Sequence, residues 1–230
     1  MAMPFDYDTN PARYRTGMDV TRRYLDPRAT SLYRRVWELL PDRPGLRIAD
    51  VGCAEGALAA ARPAGHAGYL VGIDVSATML EAHPAPSVQA DAAALPLRDG
   101  AVGAVVAVNM LYHLDEPLRA IREAHRVLDR GGMFITATIS RYDSPELAEF
   151  WRPQPSTFDA EDAPGLAGLV FPEVRVERWD APLITLPDSA AVREYLIARY
   201  LPPDRAAAAA AQVTTPLAIT KRGALLCCSY

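Results

Sequence analysis

Four polar residues close apolar runs in the first half of this chain. Asp50 stands in RIADV, Asp74 follows YLVGI, Asp91 follows SVQA, and Asn109 follows VGAVVAV. Behind Asp50 comes a Gly52-x-Ala54-x-Gly56 turn and then an Ala/Leu-rich helix start. Glycine tolerates positive φ and has no side chain to hold a ligand away, so such a turn brings bare backbone close to a bound molecule. It also aims the free N–H groups of a helix start at that molecule. A carboxylate about twenty residues beyond the turn suits paired hydrogen bonds to ribose hydroxyls. Asp74 competes as a helix cap in DVSATML, but Ser76 is the better cap and leaves Asp74 free. His113, in NMLYHLDE, adds a titratable imidazole whose ordinary pKa near neutrality suits a general base. Its competing role is a local hydrogen bond to Asp115 that steadies the loop. The chemistry these residues support is the binding of a nucleotide-like ligand, with a proton acceptor nearby.

The elements that must position them follow from periodicity. Strands are expected at 47–51, 69–73, 87–90, 102–108 and 133–139, as continuous apolar runs of the kind buried on both faces of a parallel sheet. Helices are expected at 31–40, ended by Pro41 and Pro44-Gly45, and at 116–129, ended by Arg130-Gly131-Gly132. In open α/β sheets, ligands bind outside the carboxyl ends of the strands, so the four strand-end residues should converge on one cleft. Beyond residue 140 the pattern loosens. A Pro-rich, polar segment covers 141–172 with a short helical piece near 145–151, a sixth strand fits 173–181, and a helix fits 188–200. The alanine run within 205–211 reads as a helical turn. The closing GALLCCSY is strand-like.

Composition narrows the classes. The 230 residues, half of them apolar, suffice for one good core. A net charge of −4 without a basic block argues against a nucleic-acid partner, and no apolar run is long enough to span a membrane. The N-terminus lacks the features of a signal peptide, so a cytoplasmic protein is expected. Cys53 sits in the glycine turn, and the neighbours Cys227 and Cys228 should point to opposite faces of a strand and stay unpaired. No metal-ligand spacing is present.

The run from 47 to 139 resembles the class I S-adenosylmethionine (SAM)-dependent methyltransferases, in the small-molecule branch of the ubiquinone/menaquinone-biosynthesis type. The matching pieces are ADVGCAEG (49–56), GIDVSATML (72–80), QADAAALPLRDGAVGAVVAVNMLYHLDE (89–116) and EAHRVLDRGG (123–132). The resemblance implies a Rossmann-like α/β fold: a seven-stranded sheet, mostly parallel with an antiparallel last strand, and helices on both faces. It implies one methyltransferase domain, with an N-terminal helical lid (1–45), a SAM-binding core (46–139), acceptor-side insertions with a sixth strand (140–216) and a C-terminal strand (217–230). It implies SAM as cofactor, S-adenosylhomocysteine as product, no metal, and a small-molecule acceptor, with secondary metabolism as a compatible setting.

By the same resemblance Asp50, Gly52, Cys53 and Gly56 surround the methionine portion, and Asp74 and Val75 flank the ribose. Met79 packs on the adenine, Asp91 accepts from the adenine amino group, and the Ala92 N–H meets a ring nitrogen. Asn109 sits beside the sulfonium and offers its backbone carbonyl to the cofactor's amino group. His113 and Tyr112 line the acceptor pocket. Tyr14 or Arg15 reaches the ligands from the aromatic N-terminal segment (Phe5, Tyr7, Tyr14, Tyr24, Tyr33, Trp37), and Tyr142, Phe150, Trp151 and Phe158 form a second acceptor wall. Tyr24, Tyr33 and Trp37 are also read as packing residues, and so is His125. The chain departs from the family at Ala54, where glycine is usual, at Glu55, and in a short third-strand region after 76–86. Two other functions compete. One is a SAM-fold protein that binds the cofactor or its product without methyl transfer. The other is an NAD-dependent oxidoreductase, because Gly52-x-Ala54-x-x-Ala57 with Asp74 approximates the dinucleotide fingerprint. That second motif leaves Asp91-Ala92 and Arg130-Gly131-Gly132 unexplained.

Overall fold

In the computed structural model, which describes residues 11–230, the sheet has seven strands: β1 (Arg47–Val51), β2 (Tyr69–Asp74), β3 (Ser87–Gln89), β4 (Val102–Val108), β5 (Leu128–Ile139), β6 (Glu173–Leu186) and β7 (Leu217–Ser229). Their order is β3-β2-β1-β4-β5-β7-β6. β1, β2, β3, β4 and β5 pair in parallel, and β7 runs antiparallel to β5. The order reverses between β1 and β4, the switch point at which doubly wound sheets bind ligands.

β4 is buried at all seven positions of VGAVVAV, as a central strand covered on both faces must be. β3 is the opposite case, a three-residue edge strand exposed throughout. The helices are α1 (Pro11–Tyr24), α2 (Leu32–Leu39), α3 (Ala57–Ala60), α4 (Ala77–Leu80), α5 (Pro117–Val127), α6 (Ala163–Gly168), α7 (Ser189–Ile197) and α8 (Pro203–Ala210). Pro117 opens α5, where its missing N–H costs nothing, and Ala120, Ile121, Ala124 and Val127 make its buried stripe. The alanine run forms α8, which buries Ala206, Ala209 and Ala210 at helical spacing.

The residues group into two compact units. One holds Thr30–Ile139, Pro155–Arg178 and Gly223–Tyr230; the other holds the described residues up to Ala29, Ser140–Gln154 and Trp179–Arg222. The first has a core built on Ala49, Val51, Ile73, Val105, Ile121 and Phe134. The second packs Val20, Leu147, Ile184, Tyr195, Leu196 and Ile219.

Several boundaries differ from expectation. β5 begins at Leu128, because the Arg130-Gly131-Gly132 segment continues the strand through an irregularity in register rather than forming a separate turn. α5 therefore ends at Val127, two residues early. The piece near 145–151 is a single 3-10 turn over Pro145–Leu147. β6 extends five residues past 181, running through Pro182.

Candidate functional site

The first unit gathers the carboxyl ends of β1, β2, β3 and β4. After β1 the chain makes three left-handed turns, at Gly52 (φ 69°), Ala54 (φ 46°) and Gly56 (φ 83°). The Gly52 and Cys53 N–H groups donate to the Ile73 carbonyl at 2.7 and 3.2 Å, which ties the turn to the end of β2. Gly52 is also demanded by contact, since a Cβ there would stand 2.6 Å from the Met110 side chain. Ala54 is the strained member. Removing its methyl relieves roughly 1 kcal/mol of left-handed strain, partly offset by the greater freedom of glycine in the unfolded chain. Ala54→Gly is expected to raise Tm by about 2 °C; a fall in Tm by differential scanning fluorimetry would contradict the strain.

Asp74 is not idle in the folded protein, in contrast to the expectation that capping by Ser76 would leave it free. Ser76 does cap α4, its Oγ accepting from the Met79 N–H at 3.2 Å. Asp74 Oδ2 nevertheless accepts from the Ala54 N–H at 2.8 Å, and Oδ1 from the Ser76 N–H at 2.9 Å. A carboxylate offers about four acceptor positions. Two therefore stay available for a pair of hydroxyls, while one of the others holds the glycine turn at Ala54 and one holds the Ser76 N–H. The Ala90 N–H donates to the Asp74 carbonyl at 2.9 Å, so the segment carrying Asp91 starts beside Asp74. Asp91 is exposed and Ala92 buried, and Asp91 Oδ1 accepts from the Ala93 N–H at 2.8 Å.

Asp50 and Asn109 carry buried side-chain acceptors with no hydrogen-bond donor among the described residues. Asp50 is 4% exposed, and burial first, with the Asp74 charge second, pushes its carboxyl up to about 7. No hydrogen bond from a described residue opposes that rise. Asn109 turns left-handed (φ 53°), its N–H is held by the Ala137 carbonyl at 2.8 Å, and its buried Oδ1 has no partner among the described residues. Buried acceptors without donors are costly, of order 1–3 kcal/mol each. A cationic group with N–H donors would satisfy both, and the ammonium and sulfonium of SAM carry the right charge.

Cys53 is buried and its thiol is pushed well above the usual range, chiefly by burial. Val75 stands 68% exposed at the end of β2, whereas Met79 is 1% exposed. Tyr112 and His113 lie in a 3-10 turn (Leu111–His113), their rings edge-on at 4.3 Å. Burial lowers the His113 pKa to about 4, so the expected near-neutral imidazole is instead one that stays unprotonated at pH 7. Tyr14 belongs to the second unit, on α1, and is half-buried. Phe5 and Tyr7 fall outside the described residues.

Two of the expected acceptor-wall residues are occupied elsewhere. Phe158 is fully buried in the core of the first unit, and Trp151 spends its Nε1 on the Arg199 carbonyl at 3.1 Å within the second. Trp37 and Tyr24 serve packing and anchoring, Trp37 Nε1 donating to the Leu58 carbonyl and Tyr24 Oη to Glu194. His125 packs against Phe171 and Tyr230. His83 wedges against the glycine turn, its ring within 3.0 Å of where a Cβ would stand on Gly56 or Gly72. A histidine in a loop carries no periodic signal for such wedging. Among the described residues no helix is long and apolar enough to cross a membrane, and no group of three or more His, Cys, Asp or Glu is arranged to hold a metal ion.

Residues 49–136 match the model of the methyltransferase domain family. The demethylmenaquinone methyltransferase of Staphylococcus saprophyticus is 27% identical over 129 residues, covering 52% of this chain and 55% of that protein. The 27-O-demethylrifamycin SV methyltransferase of Amycolatopsis mediterranei is 29% identical over 132 residues, covering 53% and 48%. The chain spans about half the length of the curated relatives it matches. Among solved structures, the 4+2 cyclase SpnF superposes with a TM-score of 0.62 at 20% identity, over 97% of this chain and 94% of that one, a likeness of fold alone. Residues 49–136 thus resemble a methyltransferase domain, set on the sheet order described above, and the curated relatives named here are small-molecule methyltransferases.

Proposed function

We propose that this protein transfers a methyl group from SAM to a small-molecule acceptor, in natural-product biosynthesis. The observation that supports it most is the meeting of Asp50, the glycine turn, Asp74 and Asn109 at adjoining strand ends, with two of the acceptors lacking donors. Asp74 binds the ribose, Asp50 and Asn109 face the ammonium end, and Val75 with the Asp91-Ala92 segment borders the adenine. When bound, SAM supplies an electrophilic methyl group on a positively charged sulfur. The protein's own task is then to align a nucleophile and exclude water, from which large effective molarities follow.

His113 constrains the acceptor. A base with a pKa of about 4 takes a proton poorly from an ordinary alcohol, because efficient general bases titrate near the working pH. The acceptor we infer is one that ionises readily, such as a carboxylic acid, an acidic phenol or an enol, with neutral His113 donating its N–H to the ionised oxygen. At saturating SAM, kcat is expected to stay flat from pH 6 to 8 and to fall only as pH drops toward 4, where His113 gains a proton. His113→Ala is expected to lower kcat about 10–100-fold while SAM affinity stays within twofold of wild type. An inflection near pH 6.5 that disappears in the variant would contradict the depressed pKa.

The test of the function is incubation with methyl-labelled SAM and a panel of acidic phenols, enols and carboxylates. Label in an acceptor, with equimolar S-adenosylhomocysteine, supports transfer. Tight SAM binding with no label moved across the panel favours the second reading, a SAM-binding catalyst without methyl transfer.

A further inference from the structure

The segment after β3 is tied to β2 at its start, where the Ala90 N–H donates to the Asp74 carbonyl, and to α5 at its far end. β3 has three residues, all exposed, and α4 before it has four. This segment carries Asp91 and Ala92. At its far end the support comes from α5, through a Glu–Arg pair one turn apart. Arg126 Nε and Nη2 donate to the two Glu123 carboxylate oxygens, both at 2.7 Å, a bidentate pair. The same two side chains hold Leu95 on both sides of its backbone: the Leu95 N–H donates to Glu123 Oε2 at 2.8 Å, and Arg126 Nη2 donates to the Leu95 carbonyl at 3.1 Å. Arg126 Nη1 adds the Leu97 carbonyl at 2.8 Å and Asp99 Oδ1 at 2.7 Å, and the Gly100 N–H donates to the Arg126 carbonyl at 3.1 Å. The Leu95 side chain is 5% exposed and anchored in the core.

We propose that Arg126, braced by Glu123, is a positioning residue for the cofactor's adenine, fixing at Leu95 and Leu97 the far end of the segment that carries Asp91 and Ala92. This rests on the SAM reading above. Arg126 touches no ligand; it acts by holding the Ala92 N–H and Asp91 where a ring can meet them. A planar guanidinium is required, because five donors in a fixed fork reach two carbonyls and two carboxylates at once, which a lysine ammonium does not.

The experiment is calorimetric titration of wild type, Arg126→Met, Arg126→Lys and Glu123→Gln with two probes, S-adenosylhomocysteine and S-inosylhomocysteine, which differ in the ring edge that meets the 91–97 segment. Titrations run well below each variant's Tm. Wild type is expected to prefer the adenosyl probe at least tenfold. Arg126→Met should bind that probe at least tenfold more weakly and show less than threefold preference, with Arg126→Lys intermediate and Glu123→Gln milder. Two results overturn the proposal: unchanged adenosyl affinity in Arg126→Met, or an equal loss for both probes, which marks a general structural role. Failure of wild type to bind either probe overturns the SAM reading itself and this proposal with it.

Discussion

Asp74→Ala is expected to weaken SAM and S-adenosylhomocysteine binding by about two orders of magnitude or more. Each hydrogen bond from a ribose hydroxyl to a charged acceptor is worth about 1.5–3 kcal/mol, so losing two removes roughly 3–6 kcal/mol. A second loss compounds the first. The Ala54 and Ser76 N–H groups forfeit their acceptor, and the glycine turn loses the contact that holds Ala54 in its left-handed conformation. Asp74→Asn separates the two effects: its amide oxygen can still accept from one backbone N–H while the charge is gone, so it should fall between wild type and alanine. Calorimetry with S-adenosylhomocysteine measures both variants. An affinity within threefold of wild type for Asp74→Ala would remove the ribose assignment.

Asp50 makes the second large prediction, and its sign is fixed by the direction of its pKa. With a carboxyl at about 7 in the unliganded protein, most molecules carry a proton there at pH 6 and few do at pH 8. A cationic ammonium selects the ionised form, so SAM binding expels that proton. Linkage then makes the dissociation constant about tenfold larger at pH 6 than at pH 8, with nearly one proton released per molecule bound at pH 6. Titration in buffers of different ionisation enthalpy reads the proton count directly.

Asp50→Asn should bind SAM more weakly and without this pH dependence. It should also be the more stable protein at pH 8 when unliganded. Because the folded-state pKa of Asp50 lies above its unfolded value, its stabilising contribution is present at low pH and lost as pH rises through about 7. His113, with its pKa lowered to about 4, works in the opposite direction, its contribution growing as pH rises from 4 toward 6.5. Whole-protein stability curves therefore mix the two, and the variant comparison isolates Asp50.

The strand ends were legible because central parallel strands are unbroken apolar runs, and a polar residue closing such a run is conspicuous. Asp50, Asp74, Asp91 and Asn109 were found this way, as was the Ser76 cap. The truncated α4 was legible as a missing stretch between Ser76 and the third strand.

What escaped was set by tertiary contact. Whether Met79 faces a ligand or the core depends on which side of a four-residue helix is covered, and so short a helix has too little period to tell. The depressed pKa of His113 comes from burial, which its loop sequence does not encode. The second role of Asp74 needed the Ala54 N–H brought against β2. Glu123 and Arg126 look like any surface ion pair three residues apart on a helix, a pattern usually worth only tenths of a kcal/mol. Only the fold reveals that the pair grips Leu95 and Leu97. The long β6 escaped because Pro182 reads as a strand breaker, which an outermost strand tolerates.

A crystal structure of the complex with S-adenosylhomocysteine, grown at pH 8, tests the assembled cofactor site most directly. Both ribose hydroxyls are expected on the Asp74 carboxylate, with the ammonium within hydrogen-bond reach of Asp50 or Asn109 Oδ1. Density for the ligand away from the ends of β1, β2 and β4, or an Asp74 carboxylate turned from the sugar, would contradict it.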